Sequence, residues 1–415
     1  MKTDRRGFLA GSLALALAPG YLRAESTARI VVVGGGYGGA TAARWLGALG
    51  HDVVLVEANR SYTSCPFSNT VLGGFGTMEE LSFGYGDPGP VRVALDRAET
   101  VDTTGREVVL ADGTALPYDR LVLAPGVDLL FDALEGYDEA AAEIMPHAWK
   151  AGPQTELLRR QLEAMEDGGV VAIVAPANPY RCPPGPYERA CLIAHYLKQE
   201  KPRSKILILD TKDQFSKRPL FEEAWAELYP GMIEWVPMSA GGNVIRVEPE
   251  TMSIETDFER HEVDVANVIP PQSAGAVARA AGVADPTGWC PVDPGTFEST
   301  LVPSVHVLGD ACFAGAMPKS AFSANAQAKV AALAIDAMLR DEAPPVPKLI
   351  NTCYSLAAPD YGFTVAGVYA PQDGLIAEVE GSGGISPVGA PREVRQLEAE
   401  YARNWFNTIT GEAFG

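Results

Sequence analysis

Residues 29–39 read RIVVVGGGYGG, and this stretch decides the fold of the amino-terminal part of the chain. The apolar run before the glycines is typical of a buried parallel strand. The alanine-rich residues 40–49 predict a helix, and residues 52–56 predict a second strand that ends in Glu57. Strand, glycine-rich turn, helix and strand together predict a βαβ unit of the Rossmann type.

The glycines of this turn have the spacing G-x-G-x-x-G, and each has a separate task. Gly34 permits the tight turn, Gly36 lets the backbone approach a pyrophosphate, and Gly39 lets the helix pack closely on the strand. The helix N-terminus offers free N–H groups and partial positive charge to the phosphates. Glu57 follows Gly39 by 18 residues, where an acid can accept hydrogen bonds from a ribose. These features predict a dinucleotide site.

Two later segments indicate that this dinucleotide is FAD. Residues 118–126, YDRLVLAPG, form an apolar strand closed by a small-residue turn. They resemble the returning strand of flavoproteins with two dinucleotide-binding domains. Residues 305–311, VHVLGDA, resemble the second flavin motif of that superfamily, which implies that Gly309 and Asp310 contact the ribityl chain.

A helix is expected after this second motif, from about Ser323 to Arg340. In flavoproteins of this kind, the corresponding helix points at the flavin pyrimidine. Lys319 lies just before it, and we include Lys319 among the predicted flavin-binding residues.

A second Rossmann-like unit begins at residues 168–179, and residues 205–210 look like its next strand. Its phosphate cradle is damaged, because Ala175, Pro176 and Ala177 stand where glycines are needed. Cβ atoms, and a proline without an N–H group, obstruct the approach of a pyrophosphate. We expect this domain to keep the shape of an NAD domain without binding NAD(P)H. A variant that still binds it is the alternative.

The first 24 residues read as an export signal and not as part of the fold. Arg5 and Arg6 precede a short apolar run at residues 13–18, and a small-residue stop follows. This is the pattern of a twin-arginine (Tat) signal peptide, which implies a periplasmic protein. A membrane anchor is the alternative, but the run is too short to cross about 30 Å of hydrocarbon. No later segment predicts a membrane span.

The sequence therefore predicts an α/β fold with two Rossmann-like domains, as in disulfide-reductase-like flavoproteins, and a small α+β C-terminal domain. The expected segments are a signal peptide at 1–24, a discontinuous FAD-binding domain at 25–145 and 265–343, a degenerate NAD-like domain at 146–264 and a C-terminal domain at 344–415.

The formal net charge is −20. Such a surface repels nucleic acid and anionic lipid, and it suits a basic protein partner. An acidic surface that only keeps an exported protein soluble is an equal alternative. The chain has no C-x-x-C-H motif, so any c-type haem must lie on another subunit.

Two of the six cysteines lie where chemistry is expected. Cys182 follows the degenerate turn at a strand-to-helix junction, where a helix N-terminus is expected to lower the thiol pKa. Cys353 lies 171 residues later, and Glu188 is close enough to Cys182 in sequence to act as a base. From the residues alone, a reactive pair is about as possible as two ordinary cysteines or a plain stabilising disulfide.

Four motifs carry a more specific resemblance. They are YTSCPFSN at 62–69, YRCPPGPYER at 180–189, TCYS at 352–355 and WFNTIT at 405–410. With them the chain resembles the flavoprotein subunit of flavocytochrome c sulfide dehydrogenase over nearly all of its mature length.

The resemblance implies a role for each motif. Cys182 and Cys353 form a redox-active disulfide beside the flavin, and Glu188 lies near the sulfur site. Cys65 forms a thioether to the flavin 8-methyl group, with an unlinked buried thiol as the alternative. Hydrosulfide attacks the disulfide, a persulfide forms, and electrons leave through the flavin to a c-type cytochrome subunit.

Three other functions are weighed against this one. A sulfide:quinone oxidoreductase needs a membrane-binding helix near the C-terminus, whereas the charged residues of the stretch from Arg392 to Phe406 favour a soluble enzyme. An NAD(P)H-dependent disulfide or persulfide reductase conflicts with the damaged second cradle. A non-catalytic flavoprotein of a sulfur-oxidation complex conflicts with the presence of both cysteines.

Overall fold

The computed structural model describes residues 27–86 and 89–415. The predicted signal peptide at 1–24 lies outside the described residues. Within this part of the chain the helices, α1 to α8 in order, are Tyr37–Ala48, Ser68–Leu72, Pro153–Ala164, Gly185–Glu200, Arg218–Leu228, Ala276–Ala280, Ala321–Leu339 and Arg392–Phe414.

The strands of the same residues, β1 to β25 in chain order, are Arg29–Val33, Asp52–Glu57, Ser61–Thr63, Ser82–Gly84, Val91–Leu95, Ala98–Asp102, Glu107–Leu110, Ala115–Pro117, Arg120–Leu123, Val127–Leu129, Val170–Ala175, Lys205–Asp210, Ile233–Val236, Val244–Glu248, Ser253–Thr256, Arg260–Glu262, Val265–Val268, Gln272–Ala274, Cys290–Pro291, Val305–Val307, Cys312–Phe313, Leu349–Ala358, Tyr361–Gln372, Leu375–Glu378 and Gly384–Ile385.

The first domain is built on a parallel sheet with the strand order β20-β9-β1-β2-β5. Its central strand β1 is buried from Ile30 to Val33, as its continuous apolar sequence predicts. The predicted βαβ unit is present, and α1 starts directly after Gly36. The expected helix after the second flavin motif is α7. The α/β fold class is confirmed.

The glycine-rich turn brings α1 into direct contact with the strand below it. A Cβ atom on Gly39 would lie 1.8 Å from the carbonyl oxygen of Gly34. Gly34 itself has a φ of +99°, which only glycine adopts at little cost. Helix and turn therefore approach each other as closely as the backbone permits.

The second domain has its own parallel sheet, in the order β13-β12-β11-β17. Strand β17 pairs with β11 from Val171↔Val265 to Val174↔Val268. The predicted domain boundary at residue 265 is therefore wrong, because it cuts this sheet before its last strand. The chain returns to the first domain only after β17, where β18 pairs with β10.

The C-terminal part is an antiparallel sheet of β22 to β25 with α8 packed against it. Helix α8 runs past the predicted charged stretch to Phe414. One face of its last turns is buried, and the Phe414 ring stacks on Tyr62 with ring centroids 5.2 Å apart. The end of α8 therefore packs against the first domain. No helix in the described part of the chain is both long and apolar enough to cross a membrane.

The contact at Gly39 yields a test of the fold. Gly39→Ala forces α1 away from the turn, and overpacking of this kind costs about 1–3 kcal/mol. We expect a lower melting temperature, measured by circular dichroism. The matched control is Gly411→Ala in α8, where a new Cβ has no neighbour within 4 Å and alanine favours the helix. Equal melting temperatures for the two variants would contradict the close contact.

Candidate functional site

Two adjoining cavities lie where the three parts of the protein meet. The larger, here called the long cavity, has a volume of about 670 Å³ and follows the glycine-rich turn. The smaller, here called the cysteine pocket, has a volume of about 110 Å³. Cys65, Pro66, Arg181 and Ala321 line both cavities, so a group bound at the end of the first reaches the second.

The phosphate end of the long cavity is made by the start of α1. Gly34, Gly36 and Gly38 line it, and no side chain caps the helix. Because the first N–H groups of an uncapped helix have no partner within the helix, they are available to an anion. Gly39 does not line the cavity, and it acts by letting α1 pack on Gly34.

Glu57 stands at the end of β2, on the wall of the long cavity. Its Oε2 accepts a hydrogen bond from the Gly35 amide at 2.7 Å, and its Oε1 accepts one from the Asn59 amide at 2.9 Å. The carboxylate is thereby fixed at the rim of the turn. This is where the sequence predicts contact with a ribose.

Asp310 supplies an unsatisfied acceptor to the same cavity. Its Oδ1 is buried without a hydrogen-bond partner, and its Oδ2 lies 4.0 Å from Nε of Arg181. Burial raises the pKa of this carboxyl, while Arg181 and Lys319 lower it. A buried polar atom without a partner is costly, and a ligand hydroxyl would satisfy it. The cavity, the uncapped helix and this orphan acceptor fit FAD.

Six of the eight predicted flavin-site residues line the long cavity: Gly34, Gly36, Glu57, Cys65, Gly309 and Asp310. Lys319 does not line the long cavity. Its Nζ donates to the carbonyl oxygens of Asp310 at 2.8 Å and Cys312 at 2.7 Å, and it lies 3.8 Å from the centre of the Trp289 ring. Lys319 therefore holds the loop that carries Asp310, and a direct contact with flavin stays a prediction.

Cys182 and Cys353 come from different domains and line the same pocket. Cys182 precedes α4 with a φ of +56°, and its amide donates to the carbonyl of Lys319 at 2.9 Å. Cys353 lies in β22 of the C-terminal sheet. All six cysteines are free thiols in the structure. As a whole residue Cys182 is the more exposed of the two, although protein surrounds its thiol.

The expectation of a lowered pKa at Cys182 is wrong. Burial by the surrounding protein raises the pKa of this thiol, and Cys353 and Glu188 raise it further. Lys217 and Arg181 act in the opposite direction and do not compensate. Helix α4 begins at Gly185, so Cys182 precedes the helix and lies outside its first turn. A helix dipole acts most strongly within that turn.

Glu188 lines the pocket from the first turn of α4. Its Oε1 accepts a hydrogen bond from Nδ2 of Asn69 at 3.1 Å, and its Oε2 accepts one from the Leu356 amide at 3.3 Å. Burial raises its pKa, and these hydrogen bonds and Lys217 lower it. A carboxyl with a raised pKa beside the thiols is suited to hold or release a proton.

Two cations, one lining the pocket and one beside Cys353, are absent from the site residues predicted from the sequence. Arg181 lies between the two cavities, next to Cys182. Lys217, at the start of α5, places its Nζ 3.5 Å from Sγ of Cys353. Arg181 belongs to the motif at 180–189, so the sequence could have revealed it. No local sequence pattern points to Lys217, because 136 residues separate it from Cys353.

The nucleotide position of the second domain is filled by its own side chains. Asp210, at the end of β12, is completely buried and accepts hydrogen bonds from Tyr187, from Nε1 of Trp235 at 2.9 Å and from Nζ of Lys212 at 2.6 Å. Lys212 also donates to the carbonyl of Pro176 at 2.7 Å. The acid and the turn that would receive a dinucleotide are therefore tied to each other.

Comparison with known proteins supports the assignment of this chain as a flavoprotein. Residues 155–270 match the family model for the central part of the sulfide dehydrogenase [flavocytochrome c] flavoprotein chain. Residues 345–414 match the flavin-binding model of flavocytochrome c sulphide dehydrogenase. Residues 28–160 match the model of pyridine nucleotide-disulphide oxidoreductases.

Two relatives are similar in sequence. The sulfide dehydrogenase [flavocytochrome c] flavoprotein chain of Chlorobaculum thiosulfatiphilum is 51% identical over 47 residues, which are 11% of this chain and 98% of that sequence. The mitochondrial sulfide:quinone oxidoreductase of Dictyostelium discoideum is 24% identical over 303 residues. That match covers 69% of this chain and 66% of the relative's own length.

Solved structures share the fold. The sulfide:quinone oxidoreductase of Aquifex aeolicus superimposes with a TM-score of 0.72 at 17% identity, over 93% of this chain and 92% of its own. An NAD-dependent persulfide reductase from A. fulgidus gives a TM-score of 0.58 at 16% identity, over 90% and 77%. With its flavin cavity, its cysteine pocket and both family models in place, the chain belongs to the family of flavocytochrome c sulfide dehydrogenase flavoprotein chains and binds FAD.

Proposed function

We propose that this protein is a periplasmic sulfide dehydrogenase, in which Cys182 and Cys353 form a redox-active disulfide between sulfide and the flavin. One observation carries the proposal. Two cysteines from separate domains line one small pocket, and that pocket opens into the flavin cavity. The family and the sulfide:quinone oxidoreductase of Dictyostelium have sulfide as the substrate in their names.

The residues of the pocket suit an attack by hydrosulfide. Arg181 and Arg189 line the pocket and Lys217 lies beside Cys353, so positive charge is available to an anionic nucleophile. Hydrosulfide breaks the Cys182–Cys353 bond and leaves one cysteine as a persulfide and the other as a thiolate. Glu188 is held where it can exchange a proton with the sulfur that departs. The bound flavin supplies two-electron acceptance and one-electron release.

We infer that a c-type cytochrome subunit receives the electrons. The name of the family implies this partner. The charges of α8 favour a soluble enzyme less than the sequence predicts. Arg395 is only 1% exposed and pairs with Glu223 at 2.7 Å inside the protein. The choice of cytochrome over quinone therefore depends on the family and not on this helix.

The periplasmic location depends on the twin arginines at Arg5 and Arg6. An oxidising compartment would maintain the proposed disulfide between turnovers. Tat export also suits a protein that binds its cofactor before translocation.

Removal of either cysteine is the central test. In Cys182→Ser and Cys353→Ser no disulfide can form, so sulfide should no longer bleach the flavin in anaerobic stopped-flow mixing. Flavin content should stay at the wild-type level, since neither side chain lines the phosphate end of the long cavity. Cys191→Ala is the matched control, because Cys191 is buried outside the pocket. Bleaching of Cys353→Ser at the wild-type rate would refute the disulfide mechanism.

We also propose that Cys65 carries FAD covalently, since its side chain lines both cavities. Acid precipitation should leave yellow colour in the wild-type pellet. Cys65→Ser should release its flavin into the supernatant, and Cys191→Ala should behave as the wild type. If the wild type also releases its flavin, Cys65 is an unlinked thiol.

The filled nucleotide position of the second domain predicts that NADH is not an electron donor. Asp210 and Lys212 already hold each other and the Pro176 carbonyl, so the acid that would bind the ribose is occupied. Anaerobic mixing with NADH should leave the oxidised flavin spectrum unchanged over minutes, whereas sulfide bleaches the same sample. Rapid bleaching by NADH would favour an NAD(P)H-dependent reductase.

A further inference from the structure

The last turns of α8 are not used by the proposed reaction with sulfide, yet they carry a buried aromatic side chain. Phe414 is 7% exposed. Its ring centroid lies 5.2 Å from that of Tyr62, 5.3 Å from Phe83, 5.3 Å from Tyr37 and 6.4 Å from Tyr85. We call these five residues the aromatic cluster. Its other four members come from α1 and from the β3–β4 hairpin with the residue that follows it, so Phe414 joins α8 to both.

Two rings of the aromatic cluster contact the glycine-rich turn at the phosphate end of the long cavity. The hydroxyl of Tyr85 donates to the carbonyl of Gly35 at 3.1 Å, and a Cβ atom on Gly35 would lie 2.3 Å from that hydroxyl oxygen. A Cβ atom on Gly36 would lie 3.3 Å from the ring of Tyr62, which itself lines the long cavity. The cluster therefore packs directly on the backbone that is suited to hold the pyrophosphate of FAD.

A third ring supports the segment that carries Cys65. The hydroxyl oxygens of Tyr37 and Ser64 lie 2.8 Å apart, and Ser64 is completely buried. Ser64 uses its own hydroxyl hydrogen to donate to the Pro66 carbonyl at 3.0 Å, so Tyr37 is the donor in the first bond. The ring of Tyr37 also packs edge-on against Tyr62, with centroids 5.5 Å apart. The position of Ser64, and with it that of Cys65, thus depends on Tyr37.

Polar contacts hold the end of α8 between the two helices that border the long cavity. Glu412 pairs with Lys329 of α7 at 2.7 Å and accepts a hydrogen bond from Nδ2 of Asn325, also in α7, at 3.3 Å. Arg44 of α1 donates to the carbonyl of Gly415. These contacts fix the last turn of α8 on both sides of the Phe414 ring.

Phe414 lines neither the long cavity nor the cysteine pocket. It can therefore act on bound FAD only through its neighbours. Aromatic rings in stacked or edge-to-face contact hold one another more strongly than their buried area alone provides.

We infer that Phe414 is a positioning residue of the flavin site. It holds Tyr62 against the glycine-rich turn and, through Tyr37, fixes the segment that carries Cys65, so that FAD is retained. The inference rests on the binding of FAD and not on the proposed reaction with sulfide, and it gives the last turn of α8 a role in holding the cofactor.

A role in stability alone makes a different prediction, and a matched control separates the two. Phe221 is a fully buried phenylalanine in α5 with its own aromatic neighbour, Phe363, at 4.8 Å, and it lines neither cavity. Phe414→Ala and Phe221→Ala each remove a buried ring from a helix, so both should lower the melting temperature. Only Phe414→Ala should also weaken FAD binding. Phe414→Leu keeps apolar bulk and removes the ring, and it serves if the alanine variant does not fold.

The first measurement is the Kd of FAD, taken in a Cys65→Ser background so that a thioether cannot mask release. Each holoprotein is diluted stepwise below its melting temperature, and released FAD is followed by its fluorescence. Loss of the aromatic contacts should raise the Kd by about tenfold in Phe414→Ala, with a smaller rise in Phe414→Leu. Phe221→Ala should match the Cys65→Ser parent. An unchanged Kd in the folded Phe414 variants, or an equal rise in Phe221→Ala, would overturn the inference.

The second measurement tests whether Phe414 acts through Tyr62. Tyr62→Leu removes a ring that lines the long cavity, and it should weaken FAD binding by itself. If Phe414 acts by holding that ring, Phe414→Leu should raise the Kd less in the Tyr62→Leu protein than in the protein with Tyr62 intact. Equal effects in both would show that Phe414 does not act through Tyr62. Neither measurement uses sulfide, so both decide the role of Phe414 even if the proposed sulfide reaction fails its own test.

Discussion

The start of α4 is fixed by the hydrogen bonds of three consecutive side chains, and the cysteine pocket depends on it. Tyr187 binds Asp210 in the second domain, and Glu188 binds Asn69 and the Leu356 amide. Arg189, which is 2% exposed, donates to Asn69, to Asn267 and to the carbonyls of residues 147 and 148. Buried hydrogen bonds to charged groups contribute about 1.5–3 kcal/mol each, and a broken one leaves a buried charge unpaired. One helical turn thus connects all three parts of the chain and positions the loop that carries Cys182.

Both parallel-sheet domains contain a strand–turn–helix unit, but the two units differ at the position where a dinucleotide would bind. In the first domain the turn at Gly34 leaves an uncapped helix and an open cavity for a dinucleotide. In the second domain Asp210 and Lys212 close the corresponding position. Through its hydrogen bond from Tyr187, Asp210 also ties β12 to α4. The second domain instead contributes Cys182 to the cysteine pocket and places Lys217 beside Cys353.

The electrostatics of the pocket follow from its low exposure to water. Burial raises the pKa of Cys182 and of Glu188, so both groups favour their neutral forms. Arg181 and Lys217 add positive charge, which acts strongly where the effective dielectric constant is low.

Local sequence patterns were sufficient to predict the flavin domain and the altered turn of the second domain. The apolar run at Ile30 to Val33, the glycines that follow it and the Gly-Asp pair at residue 309 identify the flavin domain, because strand burial and tight turns impose these residues locally. The alanines and proline at 175–177 likewise revealed the altered second turn. Tertiary structure alone decided that β17 closes the second sheet and that Lys319 binds main-chain carbonyls. It also decided that burial raises the pKa of Cys182 and that Lys217 lies beside Cys353. These properties depend on groups that are distant in sequence and brought together only by packing, so no local pattern encodes them.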